Sequence, residues 1–402
     1  MRSIIIRALF IKWPALNSID YKRGRLAEII QPIHCQEGRF IMSPAIRHTI
    51  DGRAFVRTPD AQFQNLPDFP YQPNYVEVDG LRMHYIDEGP KEGAVVLLLH
   101  GQPDWSYLYR KMIPIITAAG FRAIAPDMIG MGRSDKPTDI HTHTIYAHAD
   151  WWLAFIQALQ LNDITLFAQD WGGFTSLITV AHHPEYFKRV MISNSALNLM
   201  PEPVLNIPLN INRDDYPVEP NATMRTFDDF LKHCQENGLI KEDMSDFFNS
   251  WMIYALTGPE LRASDNIIRD FGGIKLTQDE ARAYDAPFPE AIYMTGIRTL
   301  PSMASMLDVK ASLAAWEALQ HFTKPFLTVF GQFDMQGTAR GVEKTCSRGG
   351  GPCGVRGGRG REGGNRGKCQ TWRTIILLLS PKNDFHLTEA HFCISSRVPV
   401  QS

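Results

Sequence analysis

The sequence predicts an α/β protein with a mostly parallel sheet, helices on both faces of that sheet and an inserted helical cap. Strand-like and helix-like segments alternate between about residues 75 and 193, as expected when parallel strands are covered on both faces. Residues 94–99 form a continuous apolar run, which indicates a buried central strand. Residues 198–312 are mostly helical in pattern, and the predicted cap lies there. A length of 402 residues leaves room for one large domain with such an insertion.

The segments of this domain follow one another in a regular order. An antiparallel pair around the turn Asp79-Gly80 is predicted to open the sheet. We divide the chain into an unassigned leader (1–55), a core in two segments (56–197 and 313–345), the cap (198–312) and a tail (346–402). The predicted strands are 75–78, 81–85, 94–99, 122–125, 164–168, 190–193 and 325–330, and the predicted helices of the core are 106–119, 145–159 and 174–183.

Both ends of the chain differ from the middle. Residues 1–22 carry four basic side chains against one acid, so a mitochondrial transit peptide is one interpretation. A leader unrelated to the domain, with Met42 as an internal start, is the other. Residues 348–368 read RGGGPCGVRGGRGREGGNRGK, which contains too little apolar surface to fold, so the tail is expected to be disordered, with residues 374–379 open as a strand. An altered reading frame or a retained intron is the favoured origin of the tail, with RGG-type RNA binding as the alternative.

Charge and cysteine content limit the partners and the compartment. A formal net charge of -2 gives no reason to expect nucleic acid or an anionic membrane as a partner. No apolar run approaches the roughly 20 residues of a membrane helix. Four of the 6 cysteines fall in the tail, which does not suit a disulfide framework. We therefore expect a reducing compartment, the cytoplasm, or the mitochondrion if the leader is a transit peptide.

Asp170 is the most informative residue of the chain. An apolar run (164–168), a turn of small residues and a helical pattern surround it, which is the strand–turn–helix setting of a nucleophile elbow with Asp in place of Ser. A carboxylate has no proton to lose and can attack a saturated carbon to form an ester. The sequence therefore favours cleavage of a carbon–halogen bond or of an epoxide over ordinary ester hydrolysis.

Two further segments fit this interpretation. His100-Gly101-Gln102-Pro103 follows the central strand, where a second oxyanion donor is expected, so the backbone N–H groups of Gln102 and Trp171 are the predicted oxyanion hole. Asp334 ends the segment after the cap, in the chain order nucleophile then acid. Together with the alternating pattern, these features predict the α/β-hydrolase fold.

At this point the chain resembles the haloalkane dehalogenases, and within them the subfamily whose type enzyme degrades 1,2-dichloroethane. The resemblance spans about residues 57–334, roughly two thirds of the chain, and fails at both ends. Three strings carry it: residues 100–110 (HGQPDWSYLYR), residues 169–173 (QDWGG) and residues 283–289 (AYDAPFP).

The resemblance implies a role for each matched residue. Asp170 would be the nucleophile, and the indoles of Trp171 and of Trp251 in the cap would bind the departing halide. Asp334 would orient the histidine base. Gln102 departs from the family, which usually has an acid there, but its backbone role does not depend on the side chain. The partners would be a small haloalkane, water and halide, with no metal or organic cofactor.

The base itself is difficult to find. In the family it follows the acid within a few tens of residues, a stretch that here falls in the Gly/Arg tract. His391, in Glu389-Ala390-His391-Phe392, is the better candidate, and His386 is the other. His100 is expected to shape a loop instead.

Two other functions stay open. An epoxide hydrolase uses the same aspartate with cap tyrosines, and Tyr254, Tyr284 and Tyr293 are available. An inactive hydrolase-fold protein that binds a ligand or partner without turnover belongs to a different class. Halide release, diol formation or neither would separate the three.

Overall fold

The computed structural model describes residues 44–195, 197, 251–264 and 275–329 together with the isolated residues 229, 232 and 236. For residues 33–36, 39–42, 245–250, 371–379 and 385–393 it describes the backbone alone. By its contacts the chain divides into two compact units, residues 1–45 and residues 46–402. The first unit contains a hairpin in which β1 (Ile33–Gln36) pairs antiparallel with β2 (Arg39–Met42).

A mixed sheet organises the second unit, and the predicted fold class is confirmed. Five neighbouring pairs of strands in it run parallel, one antiparallel pair stands at one edge of the sheet, and two successive antiparallel pairs stand at the other. The spatial order is β14-β13-β12-β11-β10-β7-β8-β6-β5. Its strands are β5 (Asn74–Val78), β6 (Leu81–Glu88), β7 (Val95–Leu99), β8 (Arg122–Pro126), β10 (Ile164–Gln169), β11 (Phe187–Ser193), β12 (Phe326–Val329), β13 (Thr371–Leu379) and β14 (Phe385–Cys393).

The centre of the sheet is its most apolar part. Leu97, Leu98 and Leu99 of β7 are buried, as are Ile164 and Leu166 of the adjacent β10. β7 and β10 run parallel, so their carboxyl ends lie at the same edge of the sheet. Ligands of open α/β sheets bind outside the carboxyl ends of the strands. The loop after β7 and the turn after β10 therefore meet where a site is expected.

Helices connect these strands largely as predicted, with two differences. The predicted helix 106–119 divides into a 3₁₀ turn, Ser106–Lys111, and a short helix, α1 (Ile113–Ala118), with Pro114 in its first turn. Proline lacks the N–H needed inside a helix but suits a first turn, which explains the break. α2 (Ile145–Ala158) agrees with the prediction, whereas α3 (Asp170–His182) begins four residues earlier than predicted.

A small second sheet was not predicted. β3 (Arg47–His48) pairs with β4 (Ala54–Val56), which pairs with β9 (Lys136–Pro137). Regular structure of this unit therefore begins within the predicted leader, residues 1–55, before the predicted start of the core at residue 56. Strands of two or three residues are too short to give a detectable alternation, so periodicity could not reveal them.

The cap region is helical where the structure describes it. Its helices are α4 (Ser245–Thr257), α5 (Gln278–Asp285) and α6 (Thr295–Thr299), with 3₁₀ turns at Ala291–Met294 and Leu300–Met306. α7 (Val309–Gln320) packs against α3 of the core, so the predicted boundary at 312/313 falls inside one helix. Among the helices that the structure describes, none is both long and apolar enough to cross a membrane.

The C-terminal segment differs from its prediction. Disorder was expected for residues 346–402, with a strand left open at residues 374–379; β13 includes that strand, and β14 within the same range was not predicted. β13 pairs parallel with β12, and β14 returns antiparallel along β13. The run of β-branched and apolar residues at 374–379 has strand propensity of its own, which the Gly/Arg composition of the preceding tract does not change.

Candidate active site

The turn between β10 and α3 has the strained geometry of a nucleophile elbow. Asp170 is the first residue of α3 and has a φ of 52°. Few residues other than glycine adopt this left-handed conformation, and it is often found at functional sites. It presents the Asp170 side chain at the carboxyl edge of the sheet, beside the helix N-terminus.

Three glycines around the elbow allow its close packing. A Cβ at Gly101 would lie 2.2 Å from Oδ1 of Asp170. A Cβ at Gly172 would lie 2.2 Å from the backbone oxygen of His100, and one at Gly173 would lie 2.5 Å from Oγ of Ser195. The loop after β7, the elbow and the end of β11 therefore approach each other so closely that side chains at these positions would not fit.

A backbone donor contacts the Asp170 carboxylate. The N–H of Gln102 donates to Oδ1 of Asp170 over 2.8 Å. Trp171 is the second residue of α3, so its N–H belongs to the first turn, whose N–H groups have no acceptor within the helix. Helix N-termini stabilise negative charge. These two groups are the predicted oxyanion donors, and the Gln102 contact is observed directly.

His100 shapes the loop beside this site, as predicted. Its Nδ1 lies 2.9 Å from the backbone oxygen of Gly101, and its Nε2 accepts from the N–H of Met128 over 2.9 Å. Both ring nitrogens are therefore engaged with the backbone. Burial lowers the pKa of His100, so the neutral ring is favoured.

The Gly-rich loop after β8 is held by a buried carboxylate. Asp127 bonds Nδ1 of His84 at 2.7 Å and accepts from the N–H groups of Ser106 and Arg133, each at 2.7 Å. Burial opposes its ionisation, but His84 and the backbone donors lower the pKa of Asp127 below its usual range. The loop is thus structural, and Ser106 connects it to the segment that follows Gln102.

The two predicted halide donors occupy different elements. Trp171 is buried on α3, and its ring lies 5.0 Å from that of Phe174. Trp251 is buried on α4 of the cap, with its ring 6.0 Å from that of Tyr254. α4 packs against α6, and the side-chain amide of Gln102 donates to the backbone oxygen of Ile297 on α6. Contacts through α6 therefore connect the helix of Trp251 to the loop of Gln102.

Asp334 and His391, the predicted acid and base, are not brought to the elbow by what the structure describes. Asp334 lies outside the described residues. His391 is in β14, and the sheet register aligns Phe167, Met191, Leu327, Arg373 and His391 in one row. Four strand spacings of about 4.8 Å separate the ends of that row by roughly 19 Å. A general base must reach its water within a hydrogen bond, so the register does not favour His391 in this role.

Comparison with known proteins identifies the family. The protein-family model described as the alpha/beta hydrolase fold matches residues 94–268. A haloalkane dehalogenase of Psychrobacter cryohalolentis is 39% identical over 288 residues, which cover 69% of this chain and 82% of the relative. A haloalkane dehalogenase of Mycobacterium marinum is 38% identical and is covered to 83%.

The chain belongs to the haloalkane dehalogenase family.

A solved structure agrees with this membership. The tetrameric haloalkane dehalogenase of Paraglaciecola agarilytica NO2 superposes with a TM-score of 0.52 and is 32% identical, with 69% of this chain and 81% of that chain covered. In this member of the family, no group of three or more His, Cys, Asp or Glu side chains within the described ranges is arranged to hold a metal ion.

The sequence analysis did not single out Asp104, a second buried carboxyl group in the loop of Gln102. Asp104 is only 6% exposed, and its Oδ1 has no hydrogen-bond partner among the residues that the structure describes. Burial, and then the negative charge of Asp170, raise the pKa of Asp104 to about 8, although Arg110 acts in the opposite direction. The available signal was an acid two residues after the Gln102 donor.

Arg298 is the other residue that the sequence did not indicate. It is buried on α6, and its Nη1 donates to the backbone oxygens of Gly258 at 2.8 Å and Ala255 at 3.2 Å. The terminal carbonyls of a helix lack partners within the helix, and a cation there also interacts favourably with the negative end of the helix dipole. Arg298 therefore caps α4, the helix that carries Trp251.

Proposed function

We propose that this chain hydrolyses small haloalkanes through a covalent alkyl ester on Asp170, with water as co-substrate and halide as leaving group. The family supplies the reaction class, hydrolysis of carbon–halide bonds. The observation that carries the mechanism is the Asp170 carboxylate at a strained elbow, with a φ of 52° and a backbone N–H at 2.8 Å. A backbone N–H at this distance can orient the carboxylate for attack and can stabilise negative charge on its oxygen when the ester is hydrolysed.

In the first step, an oxygen of Asp170 attacks the carbon that carries the halogen, and the halide departs in line. The indole N–H groups of Trp171 and Trp251 are proposed to bind the growing halide charge. Preformed donors in a water-poor pocket each stabilise such charge by about 3 kcal/mol. Both rings are buried, at 5% and 4% exposure, which is consistent with a dry pocket.

In the second step, water attacks the ester carbonyl of Asp170. The N–H groups of Gln102 and Trp171 are proposed to hold the oxyanion, since the first of them already contacts Oδ1. The roles of Asp334 as orienting acid and His391 as base stay predictions, and the sheet register does not favour the second of them. A cytoplasmic location also stays a prediction, based on the cysteine distribution.

Halide release from 1,2-dibromoethane tests the proposal. We expect the full chain to release halide and the Asp170→Asn variant to release less than 1% as much, because the amide is a poor nucleophile. Asp163→Asn is the matched control, since Asp163 also has a positive φ, 51°, but is exposed at the opposite end of β10.

The same samples separate the alternative functions. Diol formation from styrene oxide without halide release would indicate an epoxide hydrolase. A chain that melts cooperatively and yields neither product would indicate an inactive member of the fold, and the proposal would then be wrong.

A further inference from the structure

Gln102 contacts the proposed nucleophile with its backbone and the cap with its side chain. Its N–H donates to Oδ1 of Asp170 over 2.8 Å, and its side-chain amide donates to the backbone oxygen of Ile297 on α6. A carbonyl oxygen only accepts hydrogen bonds, so the amide nitrogen of Gln102, and not its amide oxygen, faces Ile297. A single residue therefore connects Asp170 to a defined point of the cap.

The sequence of α6 explains why the Ile297 oxygen needs a donor from outside its helix. A helical carbonyl accepts from the N–H four residues later, and four residues after Ile297 stands Pro301, which has no N–H. The N–H before it, that of Leu300, donates to the backbone oxygen of Gly296. Ile297 is completely buried, and a buried carbonyl without a donor costs free energy. The amide of Gln102 supplies this donor.

The Ile297 carbonyl lies where the cap contacts the core backbone directly. A Cβ at Gly296 would lie 2.7 Å from the backbone oxygen of Gly130, and a Cβ at Gly130 would lie 3.2 Å from Cα of Gly296. Backbones this close leave no room for a side chain and little freedom to shift. Gly130 belongs to the loop that Asp127 holds. The Ile297 oxygen is therefore a fixed reference point for Gln102.

The neighbours of Gln102 in the chain contribute little to holding it. Gly101 has no side chain, and a Cβ there would lie 2.2 Å from Oδ1 of Asp170. Pro103 has no N–H to donate. The Gly101 oxygen, 2.9 Å from Nδ1 of His100, holds the peptide group between residues 101 and 102 from the core side. The amide of Gln102 holds the same residue from the cap side.

We infer that Gln102 is a positioning residue, whose side-chain amide, bonded to the Ile297 oxygen, holds its own backbone N–H against Asp170. This inference rests on the proposed function and deepens it, because the same N–H orients the carboxylate for attack and is a proposed oxyanion donor. Without the amide the N–H is still present but is no longer fixed over Oδ1. A misplacement of about 1 Å can cost about 100-fold in rate.

Rapid-quench measurement of the first equivalent of bromide from saturating 1,2-dibromoethane tests the inference, because this step needs no base. Gln102→Met keeps the backbone N–H and a side chain of similar length but removes the amide donor. Its first-turnover rate should be at least tenfold below that of the wild type at every pH between about 6 and 9.

Trp105→Phe is the matched control. Trp105 also donates a side-chain N–H from this loop to a cap carbonyl, that of Ala283, over 3.1 Å. Its loss weakens the contact between loop and cap but leaves the amide of Gln102 in place. Trp105→Phe should therefore melt at a lower temperature than the wild type and release the first equivalent at the wild-type rate.

Gln102→Glu adds a measurement that a merely structural role would not affect. The protonated acid can donate to the Ile297 oxygen as the amide does, whereas the carboxylate only accepts. The ratio of its first-turnover rate to that of the wild type should rise toward one as the pH falls from about 9 to 6. The ionisable groups of the elbow, of the loop and of α6 are common to both proteins, so the ratio isolates residue 102. They are Asp170, His100, Asp104 and Arg298.

The outcomes distinguish this inference from the proposed function. No halide from the wild type overturns both. Halide from the wild type leaves the Asp170 chemistry intact, and three results would then overturn the role of Gln102: a wild-type rate in Gln102→Met, a pH-independent ratio in Gln102→Glu, or equal slowing in Trp105→Phe. Rates are compared at a temperature where thermal melts show every variant folded. Gln102→Glu, which has the shape of the wild type, decides alone if Gln102→Met does not fold.

Discussion

At the scale of single residues, the site depends on groups that are held very close together. Asp170 is in a left-handed conformation, and Gly101 faces its carboxylate. Asp104 is buried, and its Oδ1 has no hydrogen-bond partner among the residues that the structure describes. The left-handed conformation of Asp170 and the unpaired oxygen of Asp104 each cost stability locally, and such features are often found at functional sites.

Gly101→Ala should slow the attack by Asp170 while leaving the Asp170 side chain in the protein. The new Cβ would lie 2.2 Å from Oδ1 of Asp170, so either the carboxylate or the loop must move. A displacement of about 1 Å from the attack geometry typically costs about 100-fold in rate, which is the expected loss in first-turnover halide release. An unchanged rate would show that the loop of Gln102 does not position Asp170. A thermal melt checks that the variant is folded.

Asp104 should also give the folding stability a distinct pH dependence. Its pKa rises from the usual 3.8 to about 8 on folding, so the folded chain retains a proton that the unfolded chain loses in this range. The contribution of Asp104 to the free energy of unfolding is fully present below about pH 4. It is lost as the pH rises to 8, by at most about 1.4 kcal/mol per pH unit. The free energy of unfolding of the wild type, measured against Asp104→Asn by urea titration, should fall across this range. A constant difference between pH 4 and 8 would contradict a buried, protonated Asp104.

At the scale of elements, the caps and turns decide where the site residues lie. α3 begins at Asp170, the proposed nucleophile, and the carbonyls at the end of α4 accept hydrogen bonds from Arg298 of α6. Trp251 is on α4 and the partner of Gln102 is on α6, so the pairing of these two helices connects the predicted halide donor to the loop beside Asp170.

Arg298→Met should loosen α4 and with it the predicted halide site. The substitution removes the side-chain donor from the carbonyls of Ala255 and Gly258, which is expected to cost about 2–3 kcal/mol of stability. The rate of the first halide equivalent should fall by at least tenfold at a temperature where the variant is folded. Arg298→Lys keeps one donor and should lose less of both. If Arg298→Met lowered stability but left halide release unchanged, Trp251 would not be a halide donor.

Sequence patterns were sufficient to predict the strands and helices whose apolar residues recur regularly, and to predict the elbow. The strands that precede Asp170 and Gln102 were predicted from apolar runs. The Gln102 N–H was predicted as a donor because its loop follows the central strand, and it contacts Asp170 in the structure. Asp104 and Arg298 were not found, because their roles depend on burial and on partners remote in sequence. The small sheet of β3, β4 and β9 was missed because its strands are too short to show alternation.

At the scale of the whole molecule, residues 46–402 form a compact unit that contains every described residue of the proposed site. The hairpin of β1 and β2 belongs to the other unit, residues 1–45. Asp104, Asp170, Trp251 and Arg298 therefore share one unit, which also contains the sheet and the helices of the cap.

Removal of residues 1–45 should leave the chemistry in place. The truncated chain is expected to release the first equivalent of halide at the wild-type rate, because its sheet, elbow and cap helices lie in the remaining unit. The measurement is rapid-quench halide release beside the full chain. A truncated chain that is folded by circular dichroism but releases no halide would show that the first unit contributes to the site.

The central claim is that Asp170 forms and then loses an alkyl ester, and isotope labelling tests it most directly. The chain is incubated with 1,2-dibromoethane in water enriched in oxygen-18, and the peptide that contains Asp170 is then analysed by mass spectrometry. The account predicts that this peptide carries either the alkyl group, if the ester persists, or oxygen-18, if water has hydrolysed it. Halide release with an Asp170 peptide that carries neither would mean that water attacks the substrate directly, and the account would be wrong.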